Sequence, residues 1–303
     1  MRSLTVAIFL LSAFTLTSFG QECYEQAKEV APTLSKETAL KYSEALEKTA
    51  IANVSDPSVD NAIWYARRKG YLGKYKDAIE ALTITIGKHP NDPRLYRHRG
   101  HRLITLRCFD DAIRDFEKAA KLVKGKPDEV EPDGLPNARN IPTSTLQSNI
   151  WYHLGLAYYL KGDLKRAARA YKECMKVSKN NDMLAATTHW YYMTLRRLGK
   201  HDEAKKLLDP FDSKFEVIEN DDYLKLLRLY RGDLKADDLA KTLGDKSATL
   251  GSASLGYGIG NWYHYIGETE KSFAIFERVT AGDQWASFGY IAAEAELARK
   301  PRK

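Results

Sequence analysis

The chain contains 303 residues, of which 44% are hydrophobic and 29% are charged, and its formal net charge at pH 7 is +7. A chain of this length can bury a sizeable hydrophobic core. Its three cysteines (Cys23, Cys108 and Cys174) are odd in number and widely spaced, which argues against a disulfide framework. Packing between secondary-structure elements is therefore expected to supply the stability. The positive charge is compatible with nucleic acid, with acidic proteins and with an anionic envelope surface.

The N-terminal stretch has the features of an export signal. Arg2 precedes an apolar run from Leu4 to Phe19, and small residues end this run. This pattern is typical of a secretory signal peptide. We therefore predict a signal peptide over residues 1–20, cleavage before Gln21 and an exported protein that is periplasmic or secreted. An uncleaved N-terminal anchor is the alternative. No second long apolar run follows, so no integral membrane segment is expected after cleavage.

Residues 21–57 are polar and helical in character. Ala39, Tyr42 and Leu46 mark one apolar stripe at helical spacing. Pro57 belongs to a group of residues that breaks this pattern. We predict that this segment is an N-terminal lead-in of one or two helices.

The segment from Asn149 to Met175 carries a regular helical pattern. Its apolar and small residues recur at helical spacing on both sides of Lys161-Gly162-Asp163, which combines a helix stop with a restart. The segment therefore predicts a helical hairpin in which Gly155 allows the second helix to come close to the first. The order of these residues resembles the tetratricopeptide repeat family, whose unit is about 34 residues long: Trp151, Leu154, Gly155, Tyr158, Ala167 and Tyr171.

The same pattern recurs along the chain. Ala78 and Ala112 are 34 residues apart, as are Leu82 and Phe116, in agreement with the length of the family's repeat. Four prolines interrupt the period after the second repeat and predict an inserted loop. We predict repeats 1 and 2 over 58–123, the inserted loop over 124–147, repeats 3 and 4 over 148–210, a degenerate helical hairpin over 211–252, a last repeat with a capping helix over 253–298, and a basic tail over 299–303.

The resemblance implies a fold and a class of function. The implied fold is an all-α, right-handed α-solenoid of helix-turn-helix repeats, with a C-terminal capping helix on an open-ended stack. The family binds peptides or protein segments in a concave groove lined mainly by first helices, so binding rather than catalysis is expected. The positions that face this groove in the family correspond here to Arg67, Arg94, Arg97, His101, Asn149, Tyr152, Tyr159, His189, Arg196, Arg197, Tyr257, Asn261 and His264.

These side chains indicate the chemistry of a ligand. Arginine offers a planar set of donors that matches carboxylates, and tyrosine supplies rigid contact area with a hydroxyl group. We therefore predict a basic and aromatic groove that binds an acidic or extended protein segment. A solvated basic face with ordinary interhelical tyrosines is the alternative interpretation. The inserted loop could cover this groove, but its composition favours a solvated connector at an edge of the stack.

Other classes of function have less support. His98 and His101 have a spacing that can hold a metal, but the surrounding arginines would repel a cation, so we predict no metal and no cofactor. The sequence has no glycine-rich phosphate loop, nucleophile elbow or H-E-x-x-H motif, so an enzyme, metal-dependent or otherwise, is a weak alternative. Export argues against nucleic-acid binding. The main alternative is a structural component of an envelope assembly that acts through its convex face or its termini.

Overall fold

The computed structural model describes residues 21–243 and 250–300. The predicted signal peptide (1–20), part of the predicted degenerate hairpin and the end of the predicted basic tail lie outside the described residues. Within the described ranges the chain forms fifteen α-helices and no extended β-strand. No helix among these residues combines the length and the apolar character that crossing a membrane requires.

The helices are short and are joined by short turns, except around the inserted loop. They are α1 (Gln21–Gln26), α2 (Lys36–Ser55), α3 (Val59–Tyr71), α4 (Tyr75–Lys88), α5 (Pro93–Thr105), α6 (Phe109–Val123), α7 (Leu146–Lys161), α8 (Leu164–Val177), α9 (Asn181–Arg197), α10 (His201–Lys206), α11 (Asp221–Arg231), α12 (Ala236–Thr242), α13 (Leu250–Tyr265), α14 (Thr269–Thr280) and α15 (Phe288–Ala298).

Local interactions set the ends of the central hairpin, α7 and α8. The Thr145 hydroxyl accepts from the Ser148 backbone N–H at 3.2 Å, and the Ser148 hydroxyl accepts from the Thr145 backbone N–H at 2.8 Å. Gly162 ends α7 with a left-handed φ of 88°. A Cβ at Gly155 would lie 2.6 Å from the ring of Tyr171 on α8. The missing side chain therefore allows the close packing that the sequence predicts for this hairpin.

The helices stack in chain order into an α-solenoid. Each helix from α2 to α9 contacts the next one, and α3, α5, α7, α9 and α13 also contact one another in succession. We call these five helices the inner row. Cys174 is free and buried in the core, as predicted. Full burial of a large apolar side chain contributes about 1.5–3 kcal/mol, and the fully buried large side chains include Tyr75, Phe116, Tyr171, Trp190 and Phe276.

The inserted loop, which here spans residues 124–145, lies across the inner row. Arg67 on α3 donates from Nη1 to the backbone oxygen of Pro132 at 2.8 Å, and Arg68 donates to the backbone oxygen of Gly134 at 3.3 Å. The interpretation of this loop as a solvated connector is therefore wrong. The amino-acid composition of the loop gives no sign that helix α3 supplies hydrogen-bond donors for the loop's backbone carbonyl groups.

The last described helix, α15, closes the stack. It packs on α13 and α14, as a cap does, and it also contacts α7 near the middle of the chain. Arg107 donates from Nε to Glu294 at 2.6 Å, and Arg299 donates to the backbone oxygen of Leu160. Ile291 is fully buried. The described part of the stack is therefore not open-ended, because its C-terminal helix lies against the inner row.

An N-terminal segment, residues 21–35, lies against α4 and the start of α6. We call this segment the strap. A disulfide joins Cys23 in the strap to Cys108, 85 residues further along the chain. The Lys76 backbone N–H also donates to Glu29 Oε1 at 2.8 Å. The expectation that packing alone stabilises the fold is therefore wrong, because Cys23 and Cys108 form a disulfide. Wide spacing in sequence says nothing about the distance between two cysteines once the strap lies against α4 and the start of α6.

Candidate functional site

The predicted groove residues lie on the inner row of helices, but most of them are buried. The partly exposed ones are Arg67, Arg94, His101, Arg196, Arg197 and His264. The others expose 8% or less of their surface: Arg97, Asn149, Tyr152, Tyr159, His189, Tyr257 and Asn261. These residues therefore do not form the open, basic and aromatic groove that the sequence predicts. The inserted loop and α15 cover that part of the inner row.

An acidic residue of the inserted loop occupies the position expected for an acidic ligand. Arg97 Nη2 lies 2.8 Å from Glu131 Oε1, and Asn149 donates to Glu131 Oε2 at 3.1 Å. Burial lowers the pKa of Arg97 to about 10, so this guanidinium is charged at neutral pH. Within the described residues, the carboxylate that Arg97 pairs with belongs to the chain itself. This ion pair fixes the loop on the inner row.

A second buried network joins α7, α9, α13 and α15. Arg197 donates from Nε to Asn261 Oδ1 at 2.8 Å and from Nη1 to Glu296 Oε1 at 2.7 Å. The hydroxyl groups of Tyr159 and Tyr257 lie 2.7 Å apart beside it. Four of these five residues were predicted to contact a ligand. Most of their polar groups instead hydrogen-bond one another and Glu296 on α15, whereas Arg197 Nη2 and Asn261 Nδ2 are buried without a partner among the described residues.

The remaining predicted arginines have partners within the chain. Arg94 lies 2.6 Å from Asp92 and 2.5 Å from Asp60, close to the start of α5. Arg196 donates to the Tyr192 hydroxyl at 2.9 Å. These contacts orient both guanidinium groups toward their own helix or its neighbour.

The inner-row histidines are held in a neutral state. His189 Nδ1 lies 3.1 Å from the Tyr230 hydroxyl, and burial lowers its pKa to about 3. Burial also lowers the pKa of His153 to about 3 and that of His101 well below its usual value. The pKa of His264 is lowered by burial as well. Because the charged form is desolvated, these rings act as neutral packing and hydrogen-bonding groups near pH 7.

The described chain also has an open concave surface. A cleft of about 810 Å³ is bounded by the strap, α2, α3 and α5 on one side. The start of α11, the described part of α13 and the linker between α14 and α15 bound it on the other side. We call it the central cleft. Its aromatic lining consists of Tyr42, Tyr71, Tyr75, Tyr223, Trp285 and Phe288, and His101 also lines it.

The central cleft differs in charge from the predicted groove. Carboxylates outnumber cations in its lining by four to two: Glu219, Asp221, Asp222 and Asp283 against Arg102 and Lys225. Of the thirteen predicted residues, His101 alone lines the cleft, and Tyr152 reaches toward it with its hydroxyl 3.4 Å from that of Tyr223. The apolar stripe of α2 contains Tyr42, so the sequence indicated in part which face of α2 lines the cleft. The sequence carries no local signal that Trp285 would face this cleft.

The described residues bring one set of three potential metal ligands together, namely Cys23, Cys108 and Asp111. The two sulfur atoms are joined in the disulfide, so neither is a thiolate that could bind a metal. His98 Nε2, which the sequence singles out as a potential ligand, lies 3.5 Å from Glu131. This histidine therefore belongs to the contact between the loop and the inner row.

Comparisons with known proteins agree with the repeat pattern. Two tetratricopeptide repeat family models match residues 65–128 and 148–181. The search of curated proteins finds no match. The solved structures that are similar to this chain include YrrB, described as a TPR protein with an unusual peptide-binding site. It is 15% identical, the alignment covers 84% of this chain and 100% of that one, and the TM-score is 0.45.

Two other similar structures come from the same family. A tetratricopeptide repeat protein from Parabacteroides merdae is 13% identical, with 84% of this chain and 96% of that one covered and a TM-score of 0.46. The TPR domain of P58(IPK) is 13% identical, with 88% and 96% covered and a TM-score of 0.25.

Proteins built from tetratricopeptide repeats are generally scaffolds for protein–protein interaction. The repeats of this chain therefore indicate its class of function. The matched segments coincide with α3 to α6 and with the hairpin of α7 and α8, where the pattern of packed residues is strongest. The chain contains tetratricopeptide repeats over residues 65–128 and 148–181 and is a protein-interaction scaffold.

Proposed function

We propose that this protein is an exported, non-enzymatic scaffold that binds a segment of a partner protein in the central cleft. The observation that carries this proposal is the cleft itself. The loop and α15 cover most of the predicted groove residues, whereas about 810 Å³ of concave space remains between the strap and the linker that joins α14 to α15. This volume lies in the range of protein ligand sites.

The lining favours an apolar segment over a strongly acidic one. The rings of Tyr42 and Tyr71 are in tilted contact with centroids 5.7 Å apart, and those of Tyr75 and Trp285 are in tilted contact at 6.0 Å. Rigid aromatic side chains supply contact area at low entropic cost and are enriched at the centres of interfaces. The excess of carboxylates in the lining would repel a run of acidic residues. We therefore replace the acidic ligand that the sequence predicts with an apolar or aromatic segment.

Two features support the proposal of export. The apolar stretch over residues 4–19 has the character of a secretory signal. The disulfide between Cys23 and Cys108 belongs to a class of bond that persists in oxidising compartments and is rare in the cytosol. A periplasmic or secreted location accounts for both features.

A matched pair of variants on α2 tests the site. Tyr42 lines the central cleft, whereas Leu40, two residues earlier on the same helix, exposes 62% of its surface and lies outside the cleft lining. We expect the protein of residues 21–303 to capture a partner from envelope extract, Tyr42→Glu to lose it and Leu40→Glu to retain it. Loss with Leu40→Glu but not with Tyr42→Glu would place the binding surface outside the cleft.

A second candidate function is an envelope assembly component that uses its outer face. It is favoured by exposed apolar side chains on α2 and α4, since Val54 exposes 83%, Ile51 61% and Ile84 59% of its surface. In that case Ile84→Glu would disrupt the assembly, and Tyr42→Glu would leave it intact.

A further inference from the structure

Among the described residues, Arg102 is a cation without a counter-ion in the wall of the central cleft. It lies on α5, is partly buried and lines the cleft beside Gly70 and Tyr75. In residues 21–243 and 250–300 its side chain takes part in no hydrogen bond or ion pair, and its nearest charge-stabilising contact is the Tyr75 ring, 5.8 Å from Cζ. Two neighbouring arginines do have partners, since Arg97 pairs with Glu131 and Arg67 donates to the backbone oxygen of Pro132.

An unpaired guanidinium in such a place lowers the stability of the fold. Burial lowers the pKa of Arg102, and the nearby charge of Arg67 lowers it further. Desolvating a charge is unfavourable unless another group compensates it. Tyr75 and Tyr71 offset part of this effect. No carboxylate among the described residues pairs with Arg102, and a bound anion would supply that partner. Unfavourable groups of this kind are retained in proteins mainly where function requires them.

The surroundings of Arg102 leave room for its guanidinium. A Cβ at Gly70 would lie 2.7 Å from Arg102 Nη1, so the glycine creates the space in which this group sits. Tyr71 and Tyr75 stand beside it, and Trp285 and Phe288 line the same cleft. A planar guanidinium flanked by aromatic rings suits a carboxylate that is attached to an apolar or aromatic body.

The acidic residues of the cleft set a limit on the charge of that ligand. Four carboxylates line the same space as Arg102, and Lys225 already pairs with Asp222 at 2.9 Å. A dianion or a run of acids would be repelled by the remaining carboxylates, whereas one carboxylate could be matched by one guanidinium.

We propose that Arg102 forms an anion subsite in the central cleft that binds a single carboxylate of the partner segment, next to an aromatic or aliphatic side chain of that segment. This proposal rests on the proposed function, since it takes the central cleft as the binding site. It adds the chemical feature of the partner that the cleft selects.

Phenylacetate is the probe that tests this subsite, and phenylacetamide is its uncharged counterpart of the same shape. Ligand-observed NMR titration of the protein of residues 21–303 gives both dissociation constants. A hydrogen bond between charged groups contributes about tenfold or more in affinity. We expect phenylacetate to bind at least about tenfold more tightly than phenylacetamide, and inorganic phosphate to bind more weakly than phenylacetate. Equal binding of phenylacetate and phenylacetamide, or tighter binding of phosphate, would overturn the proposal.

Three variants assign the effect to Arg102. We expect Arg102→Met to remove the preference for phenylacetate while raising the melting temperature, because it removes a desolvated charge. We expect Gly70→Ala to weaken phenylacetate binding by displacing the guanidinium, which gives a second test if the first variant does not fold. Arg139→Met, at an exposed loop position, is the control for loss of one positive charge and should bind like the unmodified protein. An unchanged preference in both Arg102→Met and Gly70→Ala would overturn the proposal.

The outcomes separate this subsite from the proposed function. If Tyr42→Glu loses the partner but phenylacetate does not bind, the anion subsite is wrong and the scaffold function stands. If phenylacetate binds through Arg102 but partner capture does not depend on Tyr42, Arg102 is an anion site, but its assignment to the partner segment and the proposed binding site are both wrong.

Discussion

Removing the disulfide between the strap and α6 should cost a large part of the stability of the fold. The double variant Cys23→Ala/Cys108→Ala opens a loop of 85 residues. In the chain-entropy description, closing a loop of that length lowers the entropy of the unfolded chain by an amount that stabilises the fold by about 4.5 kcal/mol. Loss of native disulfides lowers the free energy of unfolding by about 2–5 kcal/mol. We therefore expect a decrease of about 2–4.5 kcal/mol.

Equilibrium urea unfolding of the protein of residues 21–303 measures this decrease, with and without dithiothreitol. We expect dithiothreitol to destabilise the unmodified protein to the level of the double variant and to have no effect on that variant. Cys174→Ala is the control, because Cys174 is the free buried cysteine and its loss should leave the sensitivity to dithiothreitol intact. The reasoning would be refuted if thiol titration shows one free cysteine in the unmodified protein but the double variant unfolds within about 1 kcal/mol of it.

Three further predictions concern the interior. His153 and His189 are buried with a pKa near 3. Between about pH 6.5 and 3 these two imidazoles therefore take up protons in the unfolded chain but not in the folded one. Each should lower the free energy of unfolding by about 2 kcal/mol between pH 7.5 and 5, measured by urea unfolding. Glu131→Ala leaves a buried arginine unpaired and should cost about 3–5 kcal/mol in the same assay. Gly155→Ala adds a methyl group 2.6 Å from a buried ring and should lower the stability by about 1–3 kcal/mol, whereas Gly87→Ala, with open space around it, should raise it by up to about 1 kcal/mol.

Each of these predictions has a control within the chain. His153→Gln should reduce the loss of stability at low pH by about half if His153 and His189 dominate it, and an unchanged pH dependence would contradict the assignment. Glu173 forms an exposed pair with Lys176, so Glu173→Ala should change the stability by less than about 1 kcal/mol. Equal effects of Gly155→Ala and Gly87→Ala would show that contact with the facing helix is not what limits the first position.

The repeat fold can be predicted from the sequence because its signals are local. The hairpin of α7 and α8 depends on Thr145, Gly155, Gly162 and Tyr171, which lie close together in the chain and meet through helical periodicity and capping. When contacting residues are three or four positions apart in the chain, their contact can be predicted from the helical period of the sequence. The inner row could be assigned for the same reason.

The central cleft could not be predicted, because its walls come from distant parts of the chain. Arg107 meets Glu294 across 187 residues, and Cys23 meets Cys108 across 85. Glu131 in the inserted loop has no periodic pattern that would place it against the inner row. Helical positions show which side chains point inward, but they do not show which long-range segment then covers them.

Photo-crosslinking at two positions tests the claim that the partner binds in the central cleft most directly. A benzophenone amino acid would replace Leu135, which lines the cleft and exposes 53% of its surface, or Ile84, which exposes 59% of its surface on α4 outside the cleft. Mass spectrometry would then identify the crosslinked segment of the partner. We expect a single partner segment crosslinked from position 135, lost when Tyr42→Glu is added, and no such crosslink from position 84. A crosslink from position 84 together with none from position 135 would contradict the account.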